Sequence, residues 1–259
     1  MTAEEVLLLL VLGTYLLMLA AEAAFPARRF PAIRGWRAVG LLGLVMMYGV
    51  GIIAPLLLPV EWLDRHRLVD GTKLGVPLGV VAGYMVLSFA SFVWHRALHR
   101  FSFLWRLHQL HHSPRRLDLS SGTVFHPVDL LMFTVVQVVA LTLVIGLDPL
   151  AAAITGYVAT FYSFFQHWNV KTPRWLGYLI QRPEAHCRHH EVDVHARNYA
   201  DFPLWDILFG TFESPPTFEG HVGFAGSPSI RKMLLLADVN AASTQQARPQ
   251  NDSVDAAAE

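Results

Sequence analysis

The chain carries five long apolar segments that are almost free of charge: Val6–Phe25, Ala38–Val60, Leu74–Trp94, Leu130–Leu147 and Pro149–Gln166. About 20 consecutive apolar residues take a helix across the hydrocarbon core of a bilayer, where a helix satisfies every peptide group internally. An all-α integral membrane protein with four to five transmembrane helices is therefore expected. Val6–Phe25 is the weakest span, because Glu22 interrupts it. It follows Glu4 and Glu5 instead of basic residues, so it lacks the start of a cleaved signal peptide and reads as a retained span.

Composition narrows the class further. Of 259 residues, 53% are apolar and only 15% are charged, with 20 Lys+Arg against 20 Asp+Glu. A neutral chain offers no basic field for nucleic acid, and the apolar content excludes disorder for most of its length. Cys187 is the lone cysteine, so an internal disulfide is excluded. Basic residues gather in three loops: Arg28, Arg29, Arg34 and Arg37; Arg96 to Arg116; and Lys171 to Arg188. By the positive-inside rule these share the cytoplasmic side, so a cytosolic helical cap is expected there. Phe101–Trp105 and Trp175–Ile180 mix aromatic and aliphatic residues beside Arg, as headgroup-level segments do. Three regions follow: residues 1–73 as N-terminal transmembrane helices and loops, 74–236 as a catalytic domain, and 237–259 as a disordered tail of Ala, Ser, Gln, Asn and Asp.

Thirteen histidines stand out, most of them in short clusters. His95 and His99 are spaced i, i+4. His108, His111 and His112 repeat the spacing of His186, His189 and His190. Such spacings bring imidazoles to one side of a helix, and imidazole suits Zn, Cu, Fe and Ni. At this histidine content a given three-histidine pattern arises by chance at one start in roughly 10⁴, so two copies beside an H-x3-H point to a dimetal site. His167 and His126 lie at span ends on the same face and are candidate ligands. His195 is expected behind the ligands or at the surface, and His66 and His221 are isolated. No H-E-x-x-H occurs, so a zinc protease helix is absent. The ferritin-like Glu-x-x-His pattern is also missing, and a single thiol excludes cysteine-based zinc or Fe–S ligation. No catalytic residue is expected beyond the metal centre. Asp129, Glu184, Glu191, Asp193 and Asp206 lie near the clusters and could accept the second ring N–H of a ligand histidine, though Glu191 and Asp193 read better as surface charges. Cys187 should point away from the metals and pack as a small residue.

The order H-x3-H, H-x2-H-H, H-x2-H-H, split by a two-span hairpin, resembles the fatty acid hydroxylase/sterol desaturase superfamily, the membrane-bound histidine-box di-iron oxygenases. Trp94–His99, His126–Asp129, Asn198-Tyr199, Trp205-Asp206 and Phe209–Thr211 are similar to further family segments. Three positions depart: Ser88 stands where many members have Asp, Ala200 replaces a glycine, and Ser163 stands where some hydroxylases have another His. The last departure turns attention to His126 or a water as the remaining ligand. The resemblance implies two iron ions held by His95, His99, His108, His111, His112, His126, His167, His186, His189 and His190. It implies O2 as co-substrate and hydroxylation or desaturation of a lipid C–H bond, a sterol or fatty acyl chain for example. A separate electron donor, ferredoxin-, cytochrome b5- or reductase-like, is expected. A membrane zinc-binding or metal-transport protein without redox activity is the competing reading. Transport would want ionisable residues inside the spans, and these segments are nearly free of them.

Overall fold

The computed structural model describes residues 3–226 and 229–239. Among them the regular structure is helical throughout, apart from one isolated bridge between Glu191 and Val222. The helices are α1 (Ala3–Ala24), α2 (Trp36–Leu57), α3 (Val60–Arg65), α4 (Gly75–Arg100), α5 (Ser102–His112), α6 (Pro127–Val138), α7 (Pro149–His167), α8 (Pro183–His189), α9 (Leu204–Leu208) and α10 (Ile230–Leu234). A π-helical turn, Val139–Val144, extends α6.

Four stretches are long and apolar enough to cross a membrane: Val6–Ala24, Trp36–Leu57, Gly71–Arg100 and Pro127–Val144. The fifth expected span forms as α7, but Thr155, Thr160, Tyr162, Ser163 and Gln166 dilute its apolarity. Along the spans, Leu17, Leu42 and Leu56 are 74%, 70% and 79% exposed. Large leucines exposed on several helices form apolar surface that water tolerates poorly and a bilayer solvates, so the chain is an integral membrane protein. Glu22, the apparent flaw of the first span, is a staple: its carboxylate accepts the N–H of Leu119 at 2.9 Å and of Asn169 at 3.0 Å.

Local chemistry sets the helix ends that position the site. Asp148 accepts from the N–H of Leu150 at 2.9 Å, with Pro149 at the first helical position, so α7 starts there. His126 does the same for α6, its Nδ1 accepting from Val128 N–H at 3.1 Å ahead of Pro127. The 26 residues of α4 make a rod of about 39 Å against a hydrocarbon core of about 30 Å. Its last turns, with His95 and His99, therefore stand at the membrane boundary. At the seam between α4 and α7, a Cβ on Gly83 would lie 2.5 Å from Leu147 and 3.1 Å from Thr155. A side chain there would displace Leu147, so the glycine gives the small-residue packing by which membrane helices approach closely.

The tail expected from Ala237 lies outside the described residues from 240 onward. Before that point, Gln109 donates to the Ala237 carbonyl at 2.8 Å and accepts from Val239 N–H at 3.1 Å, which docks the start of this segment on α5.

Candidate metal centre

Four helix ends meet on one face of the bundle and bring nine histidines into two groups. His95, His99, His108, His112 and His189 form one; His111, His167, His186 and His190 form the other. Within each group the candidate ligand atoms all lie within 4.8 Å of one another. The two H-x2-H-H runs are each divided between the groups. On α5, His108 and His112 (i, i+4) go to the five-histidine group and His111 to the four-histidine group. At α8 the division reverses: His186 and His190 go to the smaller group and His189 to the larger. An i, i+4 pair shares a helix face, whereas the residue at i+3 is offset by a fraction of a turn. That offset feeds the second group.

The other ring nitrogen of many of these histidines is engaged. His95 Nδ1 donates to the Tyr199 carbonyl at 2.6 Å, His189 Nδ1 to Arg197 at 2.6 Å, His111 Nδ1 to Val124 at 3.1 Å and His167 Nδ1 to Ser163 at 2.7 Å. His108 Nδ1 meets Asp129 Oδ2 at 2.8 Å, both side chains being buried. A proton fixed on Nδ1 leaves the Nε2 lone pair free to face inward. His112 Nδ1 lies 3.2 Å from Nδ1 of His195, whose pKa burial pulls down to about 3. His186 Nδ1 is buried without a partner.

The inward nitrogens crowd together. His95 Nε2 lies 3.1 Å from both His108 Nε2 and His189 Nε2, and His167 Nε2 lies 3.2 Å from His111 Nε2 and 3.1 Å from His186 Nε2. His112 Nε2 is buried without a partner. Lone pairs at that separation repel unless a cation lies between them. Ligand nitrogens at right angles on a metal with bonds of about 2.1 Å would sit about 3.0 Å apart, so the donor set fits a metal in each group. The protonation energetics agree. Burial first, then neighbouring histidines, hold His112, His186 and His190 far below the usual imidazole pKa, as they do His111. Neutral imidazole is the form that binds metal.

His126 is not brought into either group. Besides capping α6, it places Nε2 at 3.3 Å from the Leu234 carbonyl, so both ring nitrogens are turned to backbone. The N-cap-before-proline pattern of His126-Pro127 was the signal for that role. His195 stands behind His112, His221 is exposed and His66 stacks on Trp62. Of the five carboxylates near the clusters, only Asp129 touches a ligand histidine directly. Asp206 acts one step away: it accepts the N–H groups of Tyr199 and Ala200 at 2.9 and 2.7 Å and so holds the loop whose carbonyl orients His95. Glu184 binds Thr172 and Arg182, Glu191 pairs with Arg188, and Asp193 lies in a turn at φ 62°. Ser88, at the departure from the family pattern, accepts from Trp205 Nε1 at 2.9 Å and ties α4 to α9. Cys187 is fully buried against Leu117 and Val222, and burial pushes its thiol up to about 12.

A cavity of about 400 Å³ runs from the histidines into the bundle. His95, His108, His111, His167 and His186 line its metal end, and Val11, Gly51, Ile52, Pro55 and Val138 line its other end. Ile52 is 66% exposed, so that far end reaches the lipid-facing surface.

Fold and site together define a class: a helical membrane protein with two histidine clusters able to hold metal at one end of its spans. The Fatty acid hydroxylase family matches residues 80–211, half of the chain and all three histidine boxes. The chain belongs to that family. It is 33% identical over 141 residues to ornithine lipid hydroxylase OlsE of Rhizobium tropici, covering 53% of this chain and 42% of that protein. It is 25% identical over 182 residues to alkylglycerol monooxygenase of Caenorhabditis elegans, covering 68% of this chain and 34% of the relative. To the Homo sapiens alkylglycerol monooxygenase it is 27% identical over 137 residues, covering 51% and 30%. The chain thus spans less than half the length of these relatives. No solved structure matches it.

Proposed function

We propose that this chain is an O2-dependent lipid hydroxylase that oxidises a C–H bond of a membrane lipid at a di-iron centre. The observation that carries the reading is the cavity, because it joins both histidine groups, through five of their members, to the lipid-facing surface and is apolar along most of its wall. The similarity to an ornithine lipid hydroxylase and to alkylglycerol monooxygenases supports a lipid substrate and favours hydroxylation over desaturation. Two irons would be held by the two histidine groups, and when bound they would supply activation of O2. The protein's own contributions follow from its geometry. The backbone carbonyls of Tyr199, Arg197, Val124 and Ser163 orient ligand rings, and Asp129 makes His108 a stronger donor. Phe125, Leu130 and Phe133 on the cavity wall hold an alkyl chain and keep water from the reacting carbon. The metal face, on this reading cytoplasmic, meets a separate electron-donor protein.

The test is lipid profiling of cells with and without the gene, combined with metal analysis of the purified chain. A lipid that gains one oxygen only when the gene is present, and iron in the protein, is the expected result. Zinc as the sole stable metal, with no oxidised lipid after iron loading, overturns the proposal in favour of a zinc-binding protein.

A further inference from the structure

The cavity wall carries an amide, that of Gln137, near the middle of a span, which neither the fold nor the metal centre uses. On α6 the residues facing the cavity are Leu130, Phe133, Thr134, Gln137 and Val138, a single helical face. Thr134 Oγ1 donates back to the Leu130 carbonyl at 3.0 Å, and across the cavity Thr160 Oγ1 donates to the Gly156 carbonyl at 2.9 Å. Those hydroxyl protons are engaged. The Gln137 amide has no hydrogen-bond partner among the described residues, although it lies in the interior of the span Pro127–Val144. An unpaired amide in a low-dielectric, apolar environment is costly, and polar residues inside membrane spans mark substrate paths. Room has been left for it as well. On α7 a Cβ at Gly156 would come within 2.9 Å of Gln137 Nε2, so the glycine keeps that space open. Immediately beyond Gln137 and Val138 the helix changes to π-helical, a distortion frequent at functional sites.

Resting on the reading of the cavity as a lipid site, we propose that Gln137 is a specificity-determining residue that hydrogen-bonds a polar group of the substrate. Gln137 lies eight residues beyond Asp129 on the same helix, about 12 Å further along its axis. Asp129 in turn touches the ligand His108. The substrate is therefore a lipid with a hydrogen-bonding group, such as an ester, amide or hydroxyl, set well along its chain from the carbon presented to the metals. A plain hydrocarbon chain would leave the amide unpaired and be disfavoured.

The experiment compares binding of matched probes to the purified full chain in nanodiscs, without O2 or reductant. The probes are monopalmitoylglycerol, hexadecylglycerol and hexadecane. The native chain should prefer the polar lipids over hexadecane by about tenfold, the worth of one buried hydrogen bond. Gln137→Leu should abolish that preference and tighten hexadecane binding, while the metal content per chain stays as in the native protein. Gly156→Ala, which displaces the amide but keeps it, should reduce the preference less. A carbonyl as the recognised group favours the ester over the ether; hydroxyl recognition treats the two alike. Undiminished preference in Gln137→Leu, with metal content intact, overturns the assignment. Because binding is read without turnover, that outcome leaves the hydroxylase proposal standing, and a failure of lipid profiling does not erase a binding difference.

Discussion

The two histidine groups share α5 and α8 but are supported differently. The five-histidine group leans on irregular chain: His95 and His189 donate to carbonyls of the 197–199 loop, and His112 abuts His195. In that segment His195, Arg197 and Asn198 all take positive φ (38°, 66° and 47°), which non-glycine residues adopt rarely and at a cost. Asn198 holds it: its fully buried side chain donates to the carbonyls of Ala185 and Glu213 and accepts from Glu213 N–H at 2.7 Å. The four-histidine group rests on regular helix, with His167 bonded to its own α7 and His186 bonded to no neighbour through Nδ1. One group is thus oriented mainly by a strained loop and a carboxylate, the other by its own helix at His167 and by the Val124 carbonyl at His111. Ligand number alone does not describe how a site is held.

Substitutions can separate the two groups. His189→Ala and His186→Ala should each remove about one metal of two and lower turnover beyond ~100-fold, more than loss of an outer partner costs. Quantifying bound metal per chain checks this; equal loss of both metals in either variant would mean the groups are not separable. Asp129→Asn should weaken metal at the five-histidine group alone, roughly ten- to a hundredfold, as read by competition with a chelator. Asn198→Ala leaves three buried hydrogen bonds without a partner and should cost about 2–4 kcal/mol in stability, with the five-histidine group releasing metal first on heating. Gly122→Ala is the matching test of the other group, because a Cβ there would lie 2.8 Å from the His167 ring. It should cost about 1–3 kcal/mol and loosen metal at the four-histidine group. The gentlest probe is pH on the metal-free chain. Histidines with lowered folded pKa stay neutral while their unfolded counterparts charge below about 6.5. The unfolded state then binds more protons, so stability is retained above about pH 6.5 and falls as pH drops below it. Thermal unfolding midpoints between about pH 7.5 and pH 5 measure the slope; a flat profile would contradict neutral burial.

The spans and the histidine boxes were legible because both signals are local: an uninterrupted apolar run, and imidazoles three and four residues apart. Nine of the ten candidate ligands meet in the two groups for that reason. The tenth, His126, shared the face and the residue type, yet its backbone position as an N-cap took its Nδ1 away. The division of each box between two groups was not legible, since spacing gives the angle between side chains and not which neighbour each one meets. Glu22 showed the same limit. In the sequence it weakened a span, whereas the fold places it against two loop N–H groups separated from it by some hundred and more residues. Gln137 was hidden inside a span as a minor polar interruption until the cavity gave its amide a direction.

The crossed use of α5 and α8 has a thermodynamic consequence. Each helix contributes ligands to both groups, so fixing it for one cation fixes it for the other. The conformational entropy lost on ordering these helices is lost once, with the first ion, and the second ion meets a site already arranged. Metal loading should then be positively cooperative: with one group disabled the other still fills, but only at a higher metal concentration than in the native chain.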